Sequence, residues 1–331
     1  MPVTSVTTNT DDPQSPTLTI VADFTASLRR LWDAYTDPRQ IEKFWGPPTC
    51  PATFTRHDAY PGGLSTYHMP GAEGDHSNAY WEWIEVEAPH RFVVKDGFAN
   101  DDGTPSTELP SVQMTFEFVE TALGARVTTV STFNSLAELE QLTEMGMIEG
   151  TKEAMSQIDD VLTDLASFAA GRATELQLVG DNQARVSRVV RGSLDQVWAA
   201  HTEAELLKKW QLGPDGWSMP VCITGDKVGD TYRSEWQNDE TGERFGFTGE
   251  VTEISAPNRL VTTEKMISPD NPEGTGSPET LNELTLTPVE GGTLVSYIIT
   301  YPDAGVRDQV LATGMVEGME GSFARLESVV L

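Results

Sequence analysis

Basic residues are scarce in this chain. Its 331 residues hold 22 Lys and Arg against 51 Asp and Glu, a formal net charge of −29. Such a surface repels nucleic acid and anionic membranes, so neither is an expected partner. Its excess of acid reads as a device for solubility or for a salty cytoplasm. Cysteine is almost absent: Cys50 and Cys222 make neither a disulfide framework nor a zinc site. Long apolar runs are missing, so no membrane-spanning helix is expected. The first residues, Met1 to Pro16, lack the basic start and apolar stretch of a signal peptide. They read as a disordered arm of a cytoplasmic protein. No phosphate loop, nucleophile elbow, CxxC or HExxH occurs, so no cofactor and no metal is expected. What remains, 38% hydrophobic residues with eight Trp, is enough for well-filled cores.

The chain is written twice. Met145-Gly146-Met147-Ile148-Glu149-Gly150 returns as Thr313-Gly314-Met315-Val316-Glu317-Gly318, with Gly146 and Gly314 separated by 168 positions (314 less 146). Each stretch continues with apolar residues at helical spacing: Ala154, Met155, Ile158, Val161 and Leu162, then Phe323, Leu326, Val329 and Val330. A repeat at so long a period means two copies of one domain. The length fits two units of about 160 residues. The expected layout is an arm over 1–16, a domain over 17–168, a linker over 169–182 and a second domain over 183–331. Within the linker, 176–179 has the composition of a short strand.

Each copy reads as a strand, two short helices, a run of antiparallel strands and one long helix. Thr17 to Phe24 and Arg185 to Val190 open the copies. Helices around Trp32 and Trp198 end at Thr36-Asp37-Pro38 and Thr202-Glu203-Ala204. Glycine turns lead into strands 64–69 and 230–236, and strands 80–86 and 247–254 end at Ala88-Pro89 and Ala256-Pro257. Polar loops over 96–110 and 268–279 read as disordered or as lids. The fold class is α+β: two tandem helix-grip domains, each a curved antiparallel sheet wrapped around a long C-terminal helix, with a cavity between them.

The order and its residues resemble the START-like, or SRPBCC, superfamily. More narrowly they are similar to the AHSA-type family, homologues of an activator of a heat-shock-protein ATPase. The resemblance rests on Leu31-Trp32-Asp33-Ala34-Tyr35-Thr36-Asp37-Pro38, Lys43-Phe44-Trp45-Gly46-Pro47, Pro61-Gly62-Gly63, Glu85-Val86-Glu87-Ala88-Pro89 and Gly146 to Gly150. The second copy keeps Val197 to Glu203, Lys209-Trp210, Gly213-Pro214, Ala256 to Leu260 and Gly314 to Gly318. It departs at Ala204, which replaces a proline, and in the separation of Trp210 from Gly213. The resemblance implies the helix-grip fold. It does not by itself assign a chemistry.

Candidate site residues follow from strand alternation. One face of strand 64–69 carries Leu64, Thr66 and His68; the expected matching face in the second copy is Asp230, Tyr232, Ser234 and Trp236, and His68 is expected to face the cavity. In the next strand Glu82 matches Glu250 and shares a face with Tyr80. A buried His68 with a buried Glu82 would make a general base and its orienting carboxylate; the alternative is a core histidine and an exposed glutamate. His57 alternates with its neighbours and forms no triad. His76, between Glu73 and Asp75 and the residues that follow, reads as part of a solvated loop. His201 ends a helix, where it can meet the helix dipole. Gly150 and Gly318 signal either close packing or room for a ligand. Trp45, Trp83, Trp236, Met147 and Met315 would serve as core or as walls for a flat apolar molecule.

Three functions therefore stand open. The first is binding of a small apolar or aromatic molecule in the cavity. The second is a cofactor-free cyclase, hydratase or hydrolase using first-domain residues. The third is a co-chaperone-like module acting on a protein partner. The fused pair is also a way to mimic a homodimer.

Overall fold

The computed structural model describes residues 2–70, 76–101, 103–107, 109–163, 173–212 and 216–330. Two compact units divide it, Met1–Ala166 and Ser167–Leu331. In the first, β1 (Val3–Asn9) and β2 (Thr17–Phe24) precede α1 (Leu28–Thr36) and α2 (Pro38–Ile41). Then come β3 (Thr53–His57), β4 (Leu64–Pro70), β5 (His76–Glu87), β6 (Arg91–Phe98), β7 (Val112–Thr121) and β8 (Gly124–Thr132). Helices α3 (Leu136–Glu144), α4 (Met147–Ser156) and α5 (Ile158–Thr163) close the unit. The second unit repeats this with β9 (Glu175–Val179), β10 (Gln183–Val190), α6 (Leu194–Thr202), α7 (Ala204–Trp210) and β11 (Trp217–Ile223). It continues through β12 (Thr231–Asn238), β13 (Arg244–Ser255), β14 (Arg259–Ile267), β15 (Glu279–Val289) and β16 (Gly292–Thr300), and ends on α8 (Ala304–Leu311) and α9 (Met315–Val330).

The two sheets have one topology. Their orders are β1-β2-β8-β7-β6-β5-β4-β3 and, running from the opposite edge, β11-β12-β13-β14-β15-β16-β10-β9. Every neighbouring pair is antiparallel. The expected arm is corrected here: Val3–Asn9 is an edge strand on β2, with Val3 and Val6 packed against the core. The short strand expected within the linker at 176–179 is β9, paired to β10 from Glu175 to Val179. Linker residues 169–172 lie outside the described set. An edge strand needs no buried face along its length, so β1 carries Thr, Ser and Asn and gives no alternating apolar signal.

Caps set the helix starts. The Ser27 Oγ accepts from the Arg30 N–H at α1, and Ser193 with Gln196 forms a capping box at α6. The long C-terminal helix is continuous in the second unit. In the first it breaks at Gln157, between α4 and α5, and α3 is a further helix that the sequence pattern did not signal. The broken and continuous helices nevertheless make the same tie. Gln157 donates through Nε2 to the carbonyls of Phe44 (3.3 Å) and Gly46 (2.9 Å). Its counterpart Arg325 donates to those of Trp210 (3.1 Å) and Leu212 (2.5 Å). These carbonyls sit where the second short helical segment ends, with no intrahelical partner to accept from. The tie therefore satisfies that end and fixes the long helix against it.

The interiors differ. The first holds Trp32, Tyr35, Phe44, Trp81, Trp83, Phe92, Phe116 and Phe118, all at most 2% exposed, with Phe92 and Phe116 stacked at 4.5 Å. In the second, Leu260, Leu284 and Leu286 stand where Phe92, Phe116 and Phe118 stand, each 168 positions on.

Arg325→Met removes both carbonyl ties of α9. The expected loss is about 2 kcal/mol of second-unit stability, read as a lower urea midpoint of the full chain. Arg325→Gln, which copies Gln157, should lose less.

Candidate functional site

Strand parity decides which side chains meet the long helix. On β4 the buried positions are Ser65 and Tyr67, and on β5 they include Trp81 and Trp83. Thr66, His68 and Glu82 face the other way. Glu82 is about half exposed and pairs with Lys95 (3.7 Å). Thr66 exchanges a hydroxyl contact with Thr55 on β3 (2.8 Å). The His68 ring lies 5.0 Å from that of His76, and partial burial followed by the charge of His76 lowers its pKa. The expected inward His68–Glu82 pair is thus corrected: both residues lie on the outer face. Tyr80 shares that face; although buried, its ring lies over Gly97 on the neighbouring strand. Glu250 is exposed as well.

The error has a definite origin. Trp32 and Trp198 are 166 positions apart, the positive-φ glycines Gly62 and Gly229 are 167 apart, and Pro89 and Pro257 are 168 apart. Both glycines donate to the strand beyond the one they lead into, to the Trp83 carbonyl on β5 and the Val251 carbonyl on β13. Ser65, not Leu64 or Thr66, is therefore the counterpart of Tyr232. A shift of one residue turns a strand over.

Of the expected walls, Trp45, Trp83, Met147, Tyr232, Trp236 and Met315 do face the interior. Trp45 meets Trp81 edge-on at 4.7 Å. Trp83 donates to Ser65 Oγ (2.8 Å). Trp236 donates to the Gln211 carbonyl (2.7 Å) and stacks on Phe245 at 5.3 Å. Met147 and Met315 pack against their cores at the start of the long helices. A Cβ added at Gly150 or Gly318 would meet nothing within 4 Å, so these glycines are not pressed against a sheet.

His57 is a structural residue. Trp83 fills the Ser65 Oγ acceptor site, so the Ser65 hydroxyl donates to His57 Nδ1 (2.9 Å) and His57 Nε2–H donates to the Tyr35 carbonyl (3.1 Å). Among the described residues no group of three His, Cys, Asp or Glu side chains is arranged to hold a metal. Glu73 and Asp75, beside His76, lie outside the described set, as do Gly213 and Pro214. The polar loops fold back on their strands at Ala99–Pro105 and Ser268–Asn271.

A carboxyl group that sequence reasoning assigned to a loop is the common polar feature of both interiors. Asp96 occupies an inward position near the end of β6, and Glu264 holds the same position on β14, 168 residues on. In the first unit Trp81 Nε1 (2.8 Å) and Tyr67 Oη (3.2 Å) both donate to Asp96 Oδ1. In the second unit Gly249 takes the place of Trp81. The Tyr232 ring fills the space, 2.9 Å from where a Gly249 Cβ would stand, and its hydroxyl donates to Glu264 Oε2 (2.9 Å). Burial is the largest influence on both carboxyls. It raises Asp96 to about 6 and raises Glu264, while the hydrogen bonds act in the opposite direction. The repeat at 168 was the available signal for this pair.

The second interior has a further polar group. His201 replaces Tyr35 and is 6% exposed. Its Nδ1–H donates to the Val197 carbonyl (2.7 Å), and its ring lies 4.9 Å from Trp210 and 6.2 Å from Tyr297. Burial pushes its pKa down to about 4, so the imidazole is neutral at pH 7. The expected favourable meeting of a charged His201 with the helix dipole is corrected accordingly. In the same unit Leu260, Thr262, Glu264, Asn282, Tyr297, Met315 and Met319 keep partial solvent exposure.

Each unit is a helix-grip domain, a curved sheet laid against its C-terminal helices with its polar groups buried in the space between. The sequence profile described as "Activator of Hsp90 ATPase homolog 1-like protein" matches residues 25–163 and 191–330, and the chain belongs to that family. Similar solved structures include protein Ms6760 from Mycobacterium smegmatis, at 46% identity over 49% of this chain and 98% of that one (TM-score 0.46). A protein from Arthrobacter aurescens is 40% identical over 50% of this chain and 94% of that one (TM-score 0.46). DynU16, from the dynemicin biosynthetic locus, covers 95% of this chain and 99% of that one at 14% identity (TM-score 0.33). No curated protein shows a significant match. No helix among the described residues is long and apolar enough to cross a membrane.

Two outcomes test the carboxyl geometry. Asp96 has a folded pKa of about 6 against 3.8 for the free group. The folded state thus holds its proton longer, and this carboxyl's contribution to stability falls as pH rises from about 4 to 6. Asp96→Asn should remove that component, about 3 kcal/mol at most, from the pH dependence of first-unit stability relative to the parent. Gly249→Ala would place a Cβ 1.8 Å from the Thr263 carbonyl oxygen and against Tyr232. It should cost about 2 kcal/mol or more in a denaturant titration.

Proposed function

We propose that the chain binds a small, flat, apolar molecule, and that the second domain holds it between sheet and long helix. The observation that carries this reading is the contrast between matched inward positions. Ser65, Phe92 and Val94 are completely buried, whereas their counterparts Tyr232, Leu260 and Thr262 in the second sheet remain half-buried. Side chains fill the first interior. In the second, smaller residues line a space that still admits solvent. Apolar walls with a few fixed polar groups suit a neutral aromatic ligand. The outward orientation of His68 and Glu82 removes the basis for first-domain catalysis by that pair.

The test is titration of the full chain with the neutral fluorophore N-phenyl-1-naphthylamine. One equivalent should bind with an increase in fluorescence. Leu260→Phe/Leu284→Phe, which gives the second domain the first domain's aromatic residues, should abolish binding without lowering the thermal midpoint. Absence of binding, or equal binding by the filled variant, would reject the reading and turn attention to a protein partner.

A further inference from the structure

We infer that His201 recognises the ligand of the second domain, its Nε2 lone pair accepting a hydrogen bond from a hydroxyl or N–H group on an otherwise flat, apolar molecule. The inference rests on the binding reading above and adds the polarity of what is bound. Its starting point is a group left without a partner. The Nε2 atom of His201 is buried, and among the described residues no donor reaches it. Buried polar side chains are satisfied in the large majority of cases, so a specific exception calls for an explanation.

The direction of the unmet bond is fixed. Nδ1 carries the proton, because its partner is the Val197 carbonyl, which can only accept. Nε2 is then an acceptor and nothing else. The ring is anchored to the backbone of α6 through its other nitrogen and stands beside Tyr297 and Trp210. Tyr297 continues the lining towards Glu264, whose charge contributes to the raised pKa of Tyr297 after burial itself. One wall of the interior thus runs from His201 past Tyr297 to the Glu264–Tyr232 pair.

The inventory of that wall selects a ligand class. His201 Nε2 and the Glu264 carboxylate are acceptors. Arg188, which shares the inward face of β10, is already paired with Glu320 on α9. A carboxylate ligand would meet acceptors and an acidic neighbour. A phenol, an enol or an aromatic N–H would place its proton on the waiting lone pair and its ring among Leu260, Met315 and Met319. At the matching site of the first unit Tyr35 packs on Phe44 at 5.1 Å and on Phe118 at 5.4 Å. The imidazole acceptor is therefore particular to the second copy.

The experiment compares 2-naphthol with 2-methoxynaphthalene, which have nearly the same shape and differ in the donated proton. Calorimetric titration of the full chain should give 2-naphthol about tenfold tighter binding, the value of one buried hydrogen bond. His201→Phe should bring the two affinities together while leaving 2-methoxynaphthalene binding within about twofold. His201→Gln, which keeps an acceptor, should retain part of the preference. Far-UV circular dichroism of both variants establishes that they fold. If His201→Phe keeps the full preference, or if the parent does not discriminate, His201 is a core residue and the inference falls while the binding reading stands. If the parent binds neither naphthalene and also fails to bind N-phenyl-1-naphthylamine, the binding reading fails and takes this inference with it.

Discussion

A curved sheet laid against a helix encloses a volume set by the backbone, and that volume must be filled by something. Both units have the same strand order, the same positive-φ turn glycines and the same helix tie. Side chains then decide the outcome. Trp81, Trp83, Phe92, Phe116 and Phe118 help close the first interior, while Gly249, Val251, Leu260, Leu284 and Leu286 at the same positions leave the second more lightly lined. Burying a large aromatic ring contributes about 1.5–3 kcal/mol, so the filled copy has the stronger case for being a stable platform. The lightly lined copy forgoes part of that energy, and a bound apolar molecule is a way to recover it.

The polar groups follow the same logic. The inward carboxyl is held in place in both copies, but its donors are not. Trp81 and Tyr67 serve Asp96, whereas the exchange of Trp81 for Gly249 lets Tyr232 swing across to Glu264. A single change from the largest residue to the smallest thus re-routes a hydrogen bond and opens space together. His201 for Tyr35 is the second such change. It exchanges a packed phenol for an imidazole whose Nε2 has no partner among the described residues.

Much of the frame was legible from residue order. The repeat, the opening helices, the paired Ala-Pro turns and the glycine turns each carry a local chemical signature. What escaped notice lacked one. β1 lies on a sheet edge, where the buried face is short or absent. Its run rich in threonine gave no clear period, and only Val3 and Val6 pack inward. Asp96 looked like the first residue of a polar loop because a carboxyl at an inward strand position contradicts the usual pattern. His201 could be placed on a helix end, but not known to be buried until Trp210 and Tyr297 were seen beside it. The site suffered most, since deciding which face of β4 is inward requires the offset between copies to within one residue.

That offset has a consequence for anyone recombining the two copies. Its steps from 166 to 167 to 168 fall in connections, between the second short helix and the glycine turn and again across the β4–β5 and β12–β13 hairpins. Within the β4–β5 and β12–β13 ladders the pairing stays in step. A chimera that exchanged residues at one constant offset would graft β12 onto β4 inside out, sending Tyr232 to solvent and Arg233 into the core. Exchanged strand by strand, each at its own offset, the copies become interchangeable parts, and the interior of one can be rebuilt in the frame of the other.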